Sequence, residues 1–118
     1  MSFKENFGFY YYKAFVTKVY DGDTVTLDID MGLNIFKKNQ KVRLFGINTP
    51  EIRGEERTLG LISKKRLSEM ILNKEIVIET HYDKAGKYGR WLATIWFFEE
   101  KWVNVNDLLI SEGLAEVY

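Results

Sequence analysis

The chain lacks cysteine altogether, has one proline and one histidine in 118 residues, and carries no net charge, its 17 basic side chains matching 17 acidic ones. Without thiols there is no disulfide framework and no thiolate metal site, and the redox compartment is left open. No stretch approaches the roughly 20 consecutive apolar residues that a bilayer span requires. The N-terminus, Met-Ser-Phe-Lys-Glu-Asn, has no basic segment followed by an apolar run, so no secretory signal is legible and a cytoplasmic location is the expectation. Balanced charge argues against tight, indiscriminate polyanion binding, which draws most of its affinity from basic excess. Local basic clusters remain at Lys37, Lys38, Lys41 and Arg43, and at Lys64, Lys65 and Arg66; the second reads as a solvated surface.

Apolar and aromatic residues are plentiful, at 46% and 15%, which excludes disorder and predicts one domain, residues 1–118, with a modest core rich in large rings. Residues 10–20 are dominated by aromatic and β-branched types and read as a strand. Asp21-Gly22-Asp23 is a turn signal, and 24–30 alternates Val25, Leu27 and Ile29 against Thr26, Asp28 and Asp30, completing a hairpin. A third strand is expected at 41–47. Between 55 and 73 the period changes. Leu59, Ile62, Leu67, Met70 and Ile71 form the apolar stripe of an amphipathic helix, with Asn73 as its stop. Strands follow at 75–80 and 91–98, separated by a polar loop from Asp83 to Arg90. Asn104, with Asp107 three positions on, caps a short last helix ending at Gly113. Three strands, a helix, two strands and a short C-terminal helix describe a mainly β, five-stranded Greek-key barrel of the OB-fold type.

The loops of that barrel carry an acid–base set suited to attack on a phosphodiester. Such a reaction needs a cation to polarise the phosphate, an activated water, and fixed donors for the developing charge. Asp21 and Asp23 place two hard oxygen donors on one tight turn, as a divalent cation requires. Glu51, stiffened by Pro50, can orient or deprotonate a water. Arg43 and Arg90 supply permanently charged forks for phosphate oxygens. Each piece has an ordinary structural alternative: a hairpin turn, a surface ion pair, a helix entry. Only their conjunction on one barrel rim points to chemistry. His81, a lone imidazole at a strand end, reads as structural. Trp91, Trp96, Phe97 and Phe98 alternate in a strand, so packing is the expected role for most of them rather than base stacking.

Asp21-Gly22-Asp23-Thr24, Val42-Arg43-Leu44 with Asn48-Thr49-Pro50-Glu51, Lys87-Tyr88-Gly89-Arg90-Trp91-Leu92-Ala93, and Val103-Asn104 with Glu112-Gly113-Leu114-Ala115 resemble the staphylococcal nuclease family. The motifs span nearly the whole chain in the right order. The resemblance implies an OB-fold, Ca²⁺-dependent phosphodiesterase acting on DNA and RNA. A small barrel rim accommodates an extended strand better than a rigid duplex, so single-stranded or frayed nucleic acid is the favoured partner, and no membrane partner is expected. The resemblance makes Asp23 a metal ligand, Asp21 an acidic supporter of that site, Thr49 a carbonyl ligand, and Asn48 the occupant of a second ligand aspartate's place. It makes Arg43, Glu51 and Arg90 the catalytic group, and gives Lys87 a terminal phosphate and Tyr88 the nucleotide pocket.

Two departures from the pattern follow. Asn48 coordinates through a neutral amide oxygen, so the metal shell is one charge short and Mg²⁺ or Mn²⁺ competes as the expected ion. The further C-terminal helix common in that family has no counterpart before Tyr118; the N-terminal aromatics (Phe7, Phe9, Tyr10, Tyr11, Tyr12) or a second subunit are the candidates to cover the surface it would occupy. Nothing in the sequence indicates a homo-oligomer. A non-catalytic OB module binding nucleic acid or a protein partner is the alternative reading, motivated by Asn48 and the absent net charge.

Overall fold

The computed structural model describes residues 10–81 and 91–118. Strand β1 (Tyr11–Asp21) turns through Gly22 into β2 (Thr24–Asp30), and β3 (Phe36–Leu44) follows. A short β4 (Ile47–Asn48) and a 3₁₀ turn (Gly54–Glu56) lead to helix α1 (Arg57–Ile71). Then come β5 (Glu75–His81), β6 (Trp91–Glu99), β7 (Lys101–Asn104), helix α2 (Val105–Ser111) and β8 (Glu116–Val117). The main sheet runs β3-β2-β1-β5-β6-β7, and a parallel β3–β6 pairing (Val42↔Trp91, Arg43↔Leu92, Leu44↔Ala93) closes five strands into a barrel. This is the expected OB-type architecture. The loop 83–90, with Lys87, Tyr88 and Arg90, lies outside the described residues, as do Phe7 and Phe9.

The barrel interior holds the residues that alternation selects. Val25, Leu27 and Ile29 of β2 and Ile76 and Ile78 of β5 are buried, with Val16, Val42, Leu44 and Ile95 beside them. Two bulges in β1, at Thr17 and Tyr20, bend the strand and raise its twist, which brings Asp21 and Asp23 over the barrel end. Asn104 caps α2 as expected: its side chain accepts the Asp107 amide at 3.1 Å. Asn73 ends the first helix's excursion in the left-handed region, φ 60°.

Three expectations need correcting. The third strand begins at Phe36 rather than 41, because the Lys-Lys-Asn-Gln run pairs with β2 while facing solvent and so carries no burial period. It also ends at Leu44. Gly46, at φ 77°, turns the chain out of the barrel, and Ile47–Asn48 pairs with β8 instead. Buried Asn106 holds that exit, accepting from the Ile95 amide (3.0 Å) and donating to the Phe45 (2.8 Å) and Ala93 (3.1 Å) carbonyls.

The second correction concerns the helix stripe. Leu67, Met70 and Ile71 are buried, but Leu59 and Ile62 are exposed, while Gly60 and Ser63 take the contact positions. A Cβ on Gly60 would overlap the Glu51 carbonyl, and one on Gly22 would lie 2.8 Å from Ser63 Cβ and from Thr49 Cγ2. The first half of α1 therefore presses its backbone against the loops of the barrel end, and small residues, not large apolar ones, make that approach possible. The third concerns β6. Trp91 and Phe98 are exposed: Trp91, in the barrel-closing ladder, lies on the outer surface under the Lys37 ammonium (5.0 Å) and donates to Gln40 Oε1 (3.2 Å), and Phe98, where the strand outruns the barrel, packs edge-on against Trp102 of the β6–β7 hairpin. His81 has the structural role expected, stacked on Phe45 and 2.8 Å from Thr94 Oγ1, and burial lowers its pKa.

Candidate active-site groove

Across the open end of the barrel runs a groove of about 720 Å³ lined by Lys18, Tyr20, Asp21, Asp23, Thr24, Thr26, Lys41, Arg43, Asn48 and Glu51. The hairpin register explains the grouping. Asp21 pairs with Thr24, and Thr24 with Arg43, so one row across three strands carries a carboxylate, a hydroxyl and a guanidinium. The β4 exit delivers Asn48, Thr49 and Glu51 to the same end.

Asp23 is buried and well supported. Its Oδ2 accepts the Thr49 amide at 3.0 Å and lies 3.6 Å from Arg43 Nη2, and its Oδ1 accepts the Thr24 hydroxyl at 3.2 Å. A carboxylate has about four acceptor positions, so capacity remains toward the groove. Asp21 accepts the Asp23 amide at 3.0 Å. Arg43 is fixed from several sides: Nη2 donates to Asn48 Oδ1 (3.2 Å), Nη1 to the Leu44 carbonyl (3.4 Å), and the Tyr118 ring lies 4.9 Å from the guanidinium carbon. Tyr118 is held there by its own amide, which donates to the Gly46 carbonyl at 2.9 Å beside the β4–β8 ladder. Glu51 is exposed at the groove wall, its backbone clamped by Gly60.

Known proteins match this chain over most of its length. Residues 41–118 match the family described as staphylococcal nuclease homologue. The chain is 32% identical over 107 residues to a thermonuclease of Staphylococcus intermedius, covering 85% of this chain and 56% of that protein. It is 30% identical over 103 residues to a thermonuclease of Staphylococcus hyicus, with the same coverage of 85% and 56%. An uncharacterized protein of Methanocaldococcus jannaschii is 30% identical over 139 residues, covering 99% of this chain and 63% of that one. The chain belongs to the staphylococcal nuclease homologue family. It spans a little over half the length of the curated relatives it matches.

Of the site residues expected in this family member, Asp21, Asp23, Arg43, Asn48 and Glu51 line one groove, and Thr49 sits behind it. Lys87, Tyr88 and Arg90 fall in the undescribed loop. Sequence reading missed Lys18, Tyr20 and Tyr118, whose placement depends on register and on the β4–β8 pairing; no local motif marks them.

The donor set fits a hard divalent cation. All its candidate ligands are oxygens: two adjacent carboxylates, the Asn48 amide and the Thr49 carbonyl. Burial, reinforced by neighbouring Asp23, pushes the Asp21 carboxyl up to about 6. Thr49 Oγ1 is buried without a hydrogen-bond partner among the described residues. Among the described residues no group of three or more His, Cys, Asp or Glu could hold a metal ion, so a site here needs the neutral Asn48 and Thr49 oxygens beside the two carboxylates.

The raised Asp21 value has a consequence for stability. The folded state holds this proton more tightly than the unfolded chain, so its contribution is full below about pH 4 and is lost as pH rises through about 6. Above that range an ionised, half-buried Asp21 is a burden. In EDTA, Asp21→Asn is therefore expected to raise the melting temperature at pH 7.5 by the equivalent of about 1 kcal/mol, discounted for partial exposure, with the advantage fading toward pH 4. Thermal melts of both proteins across this range measure it; an advantage that grows toward low pH would contradict the assignment.

Proposed function

We propose that the chain is a divalent-metal-dependent nuclease hydrolysing phosphodiester bonds of DNA, RNA or both with little sequence specificity. The observation that carries this reading is the convergence of Asp21, Asp23, Arg43 and Glu51 on one open groove. Asp21, Asp23, the Asn48 amide oxygen and the Thr49 carbonyl would hold Ca²⁺, or Mg²⁺ or Mn²⁺ in its place. When bound, such an ion supplies polarisation of the phosphate and a lowered pKa for water. Glu51, exposed in the groove, orients the attacking water or takes its proton. Arg43 offers a fork already held in place before substrate arrives, so little reorganisation accompanies charge development. Arg90, Lys87 and Tyr88 keep the roles the family resemblance implies: a second phosphate fork, a terminal-phosphate contact and a wall of the nucleotide pocket. An open strand surface suits an extended single strand better than a rigid duplex.

A second reading, a non-catalytic module binding nucleic acid or a protein, is favoured by one observation. The Asn48 oxygen accepts from Arg43, so the amide is engaged by the cation it neighbours. Labelled single-stranded and duplex DNA and RNA, incubated with the purified chain in Ca²⁺, Mg²⁺, Mn²⁺ or EDTA, separate the two. Cleavage in at least one metal and none in EDTA is expected. Retained binding without cleavage in any metal would establish the module, and cleavage in EDTA would overturn metal dependence.

A further inference from the structure

One residue pair along each strand beyond the Asp21–Thr24–Arg43 row, the same hairpins present Lys18, Thr26 and Lys41 side by side. Lys18 pairs with Thr26 and Thr26 with Lys41. Both lysines are exposed, both line the same groove as Arg43 and Glu51, and neither has a hydrogen bond or ion pair among the described residues. Arg43 and Lys41 are two residues apart on one strand and so about 7 Å apart, a step that one sugar-phosphate unit of an extended strand can bridge. The groove is thus divided by sign: acids and one guanidinium at one end, two free ammoniums at the other. The uncharged total of the chain conceals this local separation.

Tyr20 borders the same row. It is the extra residue of the second β1 bulge, 42% exposed, and Arg53 Nη2 donates to its hydroxyl at 3.0 Å, fixing the ring at the groove wall. A ring anchored by its polar end leaves its face available for stacking. The basic stretch is short. The next residue of β2 on this face, Asp28, is acidic and accepts the Asn39 amide at 3.0 Å, so the row accommodates one phosphate and no continuing track.

We propose that Lys18 and Lys41 form a subsite for the backbone phosphate next to the one bound at Arg43, with Tyr20 stacking the intervening base, so that the groove takes a single-stranded polynucleotide rather than a mononucleotide. The subsite deepens the nuclease reading and rests on it for the position of the first phosphate, but it is measured by binding alone. In EDTA, where metal-dependent cleavage does not intrude, anisotropy of a labelled oligothymidylate about ten nucleotides long gives the affinity across a salt series. In Lys18→Gln/Lys41→Gln the affinity is expected to fall and the plot of log K against log salt to become shallower by about 1. Thymidine 5′-monophosphate, carrying one phosphate, is expected to bind both proteins alike. Lys65→Gln/Lys101→Gln, an equal charge change on other exposed residues, is expected to keep the wild-type slope. An unchanged slope in the first variant, an equal change in the second, or no oligonucleotide binding by the wild type overturns the subsite. A slope change in a protein that cleaves nothing in any metal overturns the nuclease reading and leaves the subsite standing.

Discussion

Glu51→Gln is expected to lower kcat by about 10²–10⁴ while the melting temperature hardly moves. The size of the loss follows from what the substitution changes. Glutamine keeps the shape and hydrogen-bonding reach of the side chain but accepts no proton and carries no charge. The stability expectation follows from placement: the Glu51 side chain is exposed and has no ion pair among the described residues, while its backbone is fixed independently by the close approach of Gly60. Initial rates on a labelled oligonucleotide in saturating Ca²⁺, over a pH series, measure the effect. A drop in kcat with KM and oligonucleotide affinity unchanged places the loss in the chemical step. Activity within tenfold of wild type would remove Glu51 from the chemistry.

The second large effect is expected at Arg43. Arg43→Lys keeps the positive charge and should still cost about 10²–10³ in kcat, the scale seen when one fixed donor to a developing anion is lost. The guanidinium spans Asp23 Oδ2, Asn48 Oδ1 and the Leu44 carbonyl at once, at 3.6, 3.2 and 3.4 Å, and its carbon lies 4.9 Å from the centre of the Tyr118 ring. A lysine ammonium has three donors on a flexible stem and no plane to stack, so it reproduces the charge without the fixed fork. KM is expected to change less than kcat, because ground-state attraction between a cation and phosphate survives. A fall in kcat under fivefold would show that charge alone suffices; an equal change in KM would show that the fork also holds the ground state.

Much of the fold was legible because one barrel face is buried and one is wet. Val25, Leu27 and Ile29 alternate for that reason, and the hairpin at Asp21–Gly22–Asp23 follows. Asn104 and Asp107 announced the α2 cap through chemistry confined to three residues. Where burial was absent, the signal was absent as well. Phe36–Gln40 forms strand with no apolar period because both of its faces meet solvent. On α1 the apolar pattern misled: Leu59 and Ile62 look like core, yet the contact is made by Gly60 and Ser63, since close backbone approach selects for small size and leaves no hydrophobic trace.

The site divides in the same way. The sequence by itself determined which groups are available for chemistry: the paired carboxylates of Asp21 and Asp23, the forks, the acid after Pro50, and the missing charge at Asn48. These are local facts of side-chain type. Only the tertiary structure decided what they face. Register set Lys18 and Lys41 in a row beside Arg43, the β4–β8 ladder brought Tyr118 over it, and burial beside Asp23 raised Asp21. Those outcomes depend on pairings between residues far apart in the chain, and no short-range pattern encodes such pairings.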